Sequence, residues 1–428
     1  MNYNEIINRL DSDNYDERIT ALKEIKALID EKKIKPVSVE SYVNDHIHTK
    51  YSFSPYTPSS AVFYAWQAGL ETCGIMDHET TRGCKEFIEA GKILDIPVTC
   101  GLECRVKMTE TALFGKRINN QYQDSLAYFV MHGIPHQMLD KVDEVFKPLR
   151  EKRKERIKSI CCKLNALADN SALALDFERD VLSISFFKYG GTVTERHICQ
   201  ALARKLISVY KDAKGILSAL NDVFGCTLAH EAEEKICSAT EKELEYLVID
   251  VIKRSDLFGA YIDADEECLH VTELVELCQS VGAICAYAYL GDVFDNVTQN
   301  HCGTKKYEDG YLELLISELK RLNVSALTYM PSRNTRKQSE RIIALCEKNS
   351  LLQISGEDIN SYNQPFVTDL MLDPIFSHLK DSTYAIIGNE ISATVNIDNS
   401  MFSKKNKEAI ACLNDKISYY AKIGKKGE

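Results

Sequence analysis

Several features that would fix a function class are missing from this chain of 428 residues. No apolar run approaches the roughly 18 residues a membrane-crossing helix requires. The opening stretch, MNYNEIINRLDSDNYDERIT, is polar and charged, unlike an export signal. There is no Walker A loop, no Gly-x-Gly-x-x-Gly fingerprint and no Gly-x-Ser-x-Gly elbow, which argues against nucleoside triphosphatase, dehydrogenase and serine-hydrolase chemistry. Positive charge is in deficit: the net charge is −11, so a general nucleic-acid surface is not expected. Cysteine is abundant, at 15 residues, yet no Cys-x-x-Cys pair occurs; Cys100 and Cys104 come nearest, and Cys161 and Cys162 are adjacent. That pattern suits reduced, buried thiols in a cytoplasmic protein better than a zinc ribbon or a disulfide framework. Internal repeats and low-complexity tracts are also absent.

What is present is an alternation of strand and helix signals. Residues 1–38 read as a helical extension, with Ile19, Leu22, Ile25 and Leu28 on one face. From 39 to 136, SYVNDHIHT, TCGIMDH, IPVTCGLECRV and LAYFVMH read as strands. Helices lie between the first three, one of them opening PSSAVFYAWQAGL with a serine cap and closing at Gly69. Such βα units predict a mostly parallel sheet or barrel. The strand signal fades over 137–265, a helical insertion whose basic stretch, REKRKER, reads as a solvated helix face. The alternation resumes over 266–428 and closes on a single basic C-terminal helix.

Metal-capable residues gather at the strand ends. His46 and His48 stand one residue apart, so in a strand both imidazoles project to one face. Asp77, His78, Glu103, His132 and Asp358 occupy comparable positions later in the chain. In βα folds such ends gather on one rim, where active sites form. Mixed histidine and carboxylate donors suit Zn, Mn or Fe rather than a thiolate-rich structural zinc. Thr194 to His197 read as a helix N-terminus, which favours an anion, and Arg196 offers two parallel hydrogen bonds to a phosphate. Arg105, Arg117, Arg333 and Arg336 are further candidates for substrate phosphate.

The ordered set DHIHT, then GIMDHE, then GLECRV resembles the PHP (polymerase and histidinol phosphatase) family, whose signatures run Asp-x-His-x-His-Thr, Asp-His and Gly-x-Glu. The resemblance implies an α/β fold, a distorted seven-stranded β/α barrel with two or three metal ions, and phosphoester hydrolysis. It implies His46, His48, His78, Glu103 and Asp358 as metal ligands. Asp77 would be a ligand, a partner behind one or a catalytic group, and His132 matches the histidine after the Gly-x-Glu strand, as a ligand or catalytic group. TERHICQALARKL resembles an Arg-x-His helix start in the branch acting on AMP-like phosphomonoesters or bisphosphates, implying Arg196 as a catalytic, charge-offsetting residue and both Arg196 and His197 as substrate-binding.

The chain also departs from the family pattern. Tyr287 or Ala288 stands where an Ala-His-Pro histidine is expected, Asn360 replaces the histidine of the last motif, and Ser52, Phe53 and Ser54 occupy a stretch where a further Asp or His is common. One or two divalent ions are therefore expected rather than three. Tyr287 as phenolate or Asn360 through its carbonyl would be substitutes, with Asp292 and Glu357 as extra carboxylates. The expected function is metal-dependent hydrolysis of a small phosphorylated metabolite or nucleotide by an activated water. The alternatives are a barrel that has lost catalysis and serves as a ligand-binding or interaction module, and amide hydrolysis on the same scaffold. Oligomeric state is not legible.

Overall fold

The computed structural model of the protein describes residues 3–36, 42–120, 122–169, 172–291 and 307–427. Contacts divide the chain into two units: Met1–Lys147 with Cys268–Val293 and Thr304–Glu428, and Pro148–Glu267 with Phe294–Gly303. Asp292, expected as a spare carboxylate, lies outside the described residues.

The first unit begins with helices α1 (Tyr3–Arg9) and α2 (Tyr15–Asp30). Asn14 caps α2 by accepting from the Asp16 and Glu17 N–H groups, and Ile19, Leu22 and Ile25 are buried. Then come β1 (Tyr42–Ile47), α3 (Pro58–Ala68), β2 (Leu70–His78), α4 (Cys84–Leu94), β3 (Val98–Lys107) and β4 (Leu126–His132). The cap of α3 is Thr57 rather than the expected serine: its hydroxyl oxygen accepts from Ser60 N at 3.1 Å, and Ser60 Oγ accepts from Thr57 N at 2.8 Å. Pro58 then sits at the first helical position, where its missing N–H costs nothing.

The second unit contains the body of α5 (Leu139–Ala168), α6 (Glu195–Tyr210), α7 (Ala213–Asp222), α8 (His230–Ser238) and α9 (Glu241–Arg254). Its core joins Ile157, Ile160 and Leu164 of α5 to Leu202 and Leu206 of α6 and to Val248 and Ile252 of α9. One expectation fails here. Arg150, Arg153 and Arg156 recur every three residues of α5 and are buried, so the basic stretch is not a solvated face. Glu195 receives Arg153 at 3.0 Å and also pairs with Arg156, whose Nε donates to Glu267 at 2.7 Å. Spacing of three on a helix forms a stripe, and these acids satisfy part of it.

The barrel resumes with β5 (Leu269–His270), α10 (Val271–Val281), β6 (Ile284–Tyr289), α11 (Leu312–Arg321), β7 (Ala326–Tyr329), α12 (Arg336–Asn349), β8 (Leu352–Ser355), α13 (His378–Val395), α14 (Lys404–Ala409) and α15 (Leu413–Lys426). Seven strands run in the order β1-β2-β3-β4-β6-β7-β8, and β5 pairs separately with β3. The ends of this row meet: His48 N donates to Ile359 O at 2.9 Å and Ile359 N to His46 O at 3.1 Å. The result is a nearly closed, distorted β/α barrel with helices around it. Every pairing in the row is parallel except those of β4, which is antiparallel to β3 and to β6. A parallel return needs a crossover, in most cases a helix; the described residues of 108–125 contain none, so the chain doubles back.

The inner face of the barrel is closed at its base by α13. Tyr384, Ala385, Ile386 and Ile387 pack on Met76, Val130, Ala286, Ala326 and Leu352, the last two being the first residues of their strands. Against α13 lies α15, at a crossing where Gly388 and Gly424 leave no room for a Cβ: one added at Gly388 would strike the Tyr420 carbonyl. The single C-terminal helix expected from sequence is two helices, with Ile410 extended (φ −130°, ψ 93°) after α14. Among the described residues no helix is long and apolar enough to cross a membrane.

Candidate metal centre

The register decides which residues share the inner face. His78 pairs with Glu103, and Met76 with Gly101, so alternation turns His78 and Glu103 inward together. In β1 an irregularity between Asn44 and Ile47 keeps Ile47 beside Ile75, on the outer face. His46 and His48 flank Ile47 and therefore both turn inward. Next to Glu103, a side chain on Gly101 would meet both the Met76 side chain and the Met131 carbonyl, so the barrel can pack below Glu103 only with glycine there.

These residues converge. Ligand atoms of His46, His48 and Glu103 all lie within 4.8 Å of one another, and all three residues are buried. His46 Nε2 is 3.8 Å from Glu103 Oε1, and His48 Nε2 is 3.9 Å from Oε2. His78 Nδ1 approaches Glu103 Oε2 at 3.0 Å, and Asp358 Oδ1 approaches His48 Nε2 at 3.2 Å. Three imidazoles thus meet around the Glu103 carboxylate, and Asp358, from the segment after β8, joins the group through His48.

Behind them stands Asp77, one position before His78 and hence on the opposite face. Its carboxylate accepts from Thr49 N at 2.7 Å, from Thr49 Oγ1 at 2.6 Å and from Ser52 Oγ at 2.7 Å. Ser52 Oγ lies 3.3 Å from His48 Nδ1. Because the serine proton is given to Asp77, its oxygen accepts the Nδ1–H. This commits Nδ1 of His48 and leaves Nε2 facing Glu103 and Asp358. Asp77 therefore orients His48 from behind. Ser52, which the sequence offered only as a missing ligand, is the link.

The electrostatics follow the same arrangement. Burial lowers the pKa of His46, against the pull of Glu103. For His48 burial is outweighed by Asp358, which hydrogen-bonds to it, and by Glu103, so its pKa rises. Burial raises the pKa of Asp77 despite the donors it receives from Ser52 and Thr49.

His132 sits one layer deeper. It pairs with Ile284, the first residue of β6, because β4 runs the other way and reaches its end inside the barrel, not at the rim. It is fully buried, and neither ring nitrogen has a hydrogen-bond partner among the described residues. Burial, reinforced by His46, pushes its pKa down to about 3, so the ring is neutral. A neutral imidazole with both nitrogens unsatisfied is costly, about 1–3 kcal/mol per group, unless something else fills the site. That orphaned ring and the converging His/His/Glu atoms fit a divalent ion. His46, His48, Glu103 and Asp358 would hold it, with His78 and His132 at its margin.

Of the two proposed substitutes, Tyr287 does not serve. Tyr287 pairs with Phe129, which puts it on the outer face, where its hydroxyl bonds to Glu308 and its pKa is driven well above the ordinary value by burial. The inner-face residue there is Ala288, which has no donor atom. Asn360 Nδ2 donates to Asp358 Oδ1 at 2.7 Å and so holds that carboxylate in place. Glu357 is engaged by Ser332 N at 2.7 Å and by the Ser332 hydroxyl.

The arginines separate by environment. Arg105, two residues beyond Glu103 on the same face, is buried 3.8 Å from Glu79. Arg117 pairs with Asp124 at 2.7 Å, and the exposed Arg336 pairs with Glu340 at 2.8 Å. Arg333 follows β7, and its Nε donates to Leu290 O at 3.1 Å. In the second unit, Arg196 belongs to the first turn of α6, and His197 caps that helix: its Nδ1 accepts from Thr194 N at 3.0 Å.

No family model and no curated protein matches the chain. Solved structures do. A protein of Bifidobacterium adolescentis, provisionally named a metal-dependent phosphoesterase, superposes with a TM-score of 0.50 at 19% identity, over 78% of this chain and 91% of that one. An amidohydrolase from Chromobacterium violaceum, solved with sulfate and no metal, gives a TM-score of 0.49 at 16% identity, over 80% and 97%. At such identity the first likeness establishes a shared fold.

Proposed function

We propose that the protein is a metal-dependent hydrolase of phosphate esters acting on a small phosphorylated metabolite or nucleotide. The observation that carries this reading is the convergence of His46, His48, His78, Glu103 and Asp358 at strand ends far apart in sequence. A divalent ion bound there supplies Lewis acidity toward a phosphoryl oxygen and a nucleophile from water at neutral pH. The chain's own groups do the rest. Asp77 and Ser52 hold His48 by its Nδ1, and Asn360 holds Asp358. Buried Arg105 places positive charge on the Glu103 face. The likeness in fold to the Bifidobacterium protein agrees with this reading.

The test is hydrolysis of a panel of phosphomonoesters with added Mn or Zn. Turnover is expected, lost on chelation and lowered at least about a hundredfold in His48→Ala. Absence of turnover with every metal would contradict it. A second reading, a barrel that binds ligand without turnover, is favoured by Ala288 on the inner face, which offers no donor for a further ion. Metal content well below one equivalent in the purified protein would support it.

A further inference from the structure

A cavity of about 510 Å³ opens on the first unit beside the N-terminal ends of β6 and β7. Val275 of α10 lines it, as do Ala283 just before β6, Asn323 and Ser325 just before β7, and the start of α14. His46 and His78 stand near the C-terminal ends of β1 and β2, so the cavity lies at the other end of the barrel from the metal centre. Its volume falls in the range of small-molecule sites. We propose that it binds a small organic dianion, held by the ammonium groups of Lys404 and Lys407, with the organic body against Val275, Ala283 and Phe402.

The charges carry this reading. Lys404 and Lys407 both line the cavity, three residues apart on α14 and hence neighbours on one face. Among the described residues neither ammonium has an ion-pair or hydrogen-bond partner. Lys405, between them, is committed to Asn399 Oδ1 at 3.2 Å. Glu408 also lines the cavity, yet among the described residues it forms an ion pair with neither lysine. Like charges side by side on a helix repel, and an anion between them relieves that repulsion. Lys407 acts on Lys416 as well: burial, and then Lys407, lower the pKa of that lysine. Ser403 is already engaged, since its hydroxyl donates to Asp398 O at 2.8 Å and accepts from Asn406 N at 3.2 Å. Two lysines act as separate point charges rather than as a planar fork, which suits a ligand carrying two charges. Val275 and Ala283 are buried and Phe402 is half-buried, an apolar wall for its body.

The inference is independent of the metal reading, and the experiment uses the metal-free full chain. Phthalate and phenylphosphonate, both dianions on an apolar ring, are titrated calorimetrically into wild type, a Lys404→Gln/Lys407→Gln variant and a Lys404→Arg/Lys407→Arg variant. Wild type is expected to bind about one equivalent of at least one probe. The glutamine pair should weaken that binding about tenfold or more, and the arginine pair should stay within about threefold of wild type. Binding of phthalate alone marks a dicarboxylate site and binding of phenylphosphonate alone a phosphoryl site; either supports the proposal. The substituted lysines are exposed, so thermal unfolding without probe should be unchanged in both variants. Equal affinity in the glutamine pair, or no binding of either probe by wild type, overturns the proposal. So does loss of binding in His48→Ala, which would put the probes at the metal centre.

Discussion

At the scale of single residues, the site depends on which atom of each side chain is left free. His48 shows this most clearly: Ser52 and Asp77 commit Nδ1, and only Nε2 remains for a ligand. Ser52→Ala removes that link without touching a ligand. Metal affinity is expected to fall about 10- to 100-fold, read by titration of Mn or Zn, with the fold retained. An unchanged affinity would mean that Asp77 and Ser52 are only packing. His197 gives a different prediction. Burial, with Arg153 second, lowers its pKa to about 3, so the folded state keeps it neutral. The unfolded chain takes up a proton below about 6.5, and stability is therefore present above that pH and lost as pH falls toward 3. Between pH 7.5 and 5 this one residue should cost roughly 2 kcal/mol. Denaturant titrations at both pH values should show that share of the pH dependence missing from His197→Gln.

At the scale of elements, the legible parts were those with a strong local period or a cap. The strands carrying His46, His78 and Glu103, and the helices between them, follow from alternation and from Gly69. The direction of β4 was not legible, because nothing within LAYFVMH encodes which way its neighbours run; the missing crossover helix before it does. Nor was α13 legible. Ser382, Thr383, Asn389 and Glu390 are buried along with its apolar residues, so it shows no polar face for a period to reveal. Its polar groups are matched only in the folded barrel: Thr383 donates to Asp45 at 2.6 Å, and Glu390 accepts from Thr99 at 2.7 Å. This buried plug leans on α15 through Gly388 and Gly424. Gly388→Ala should force the two helices apart and destabilise the protein by about 1–3 kcal/mol in thermal or denaturant unfolding. A loss below about 0.5 kcal/mol would show that the crossing is loose.

At the scale of the whole molecule, the sequence revealed the barrel and the five residues that meet on it, because ordered motifs at strand ends survive even without a parallel pattern throughout. Finer assignments depended on pleat and pairing. Tyr287 and Ala288 are neighbours in sequence, and only the register with Phe129 sends the tyrosine outward and leaves the alanine at the rim. Likewise, the buried arginine stripe of α5 reads as surface until Glu195 and Glu267 are found beside it. The central claim is that His46, His48, Glu103 and Asp358 hold a common divalent ion. Anomalous scattering from crystals of the Mn- or Zn-loaded protein tests it most directly. The account predicts a peak within about 2.0–2.3 Å of donor atoms from those four residues; a fully loaded crystal with no peak among them, or with its peak elsewhere, would contradict it.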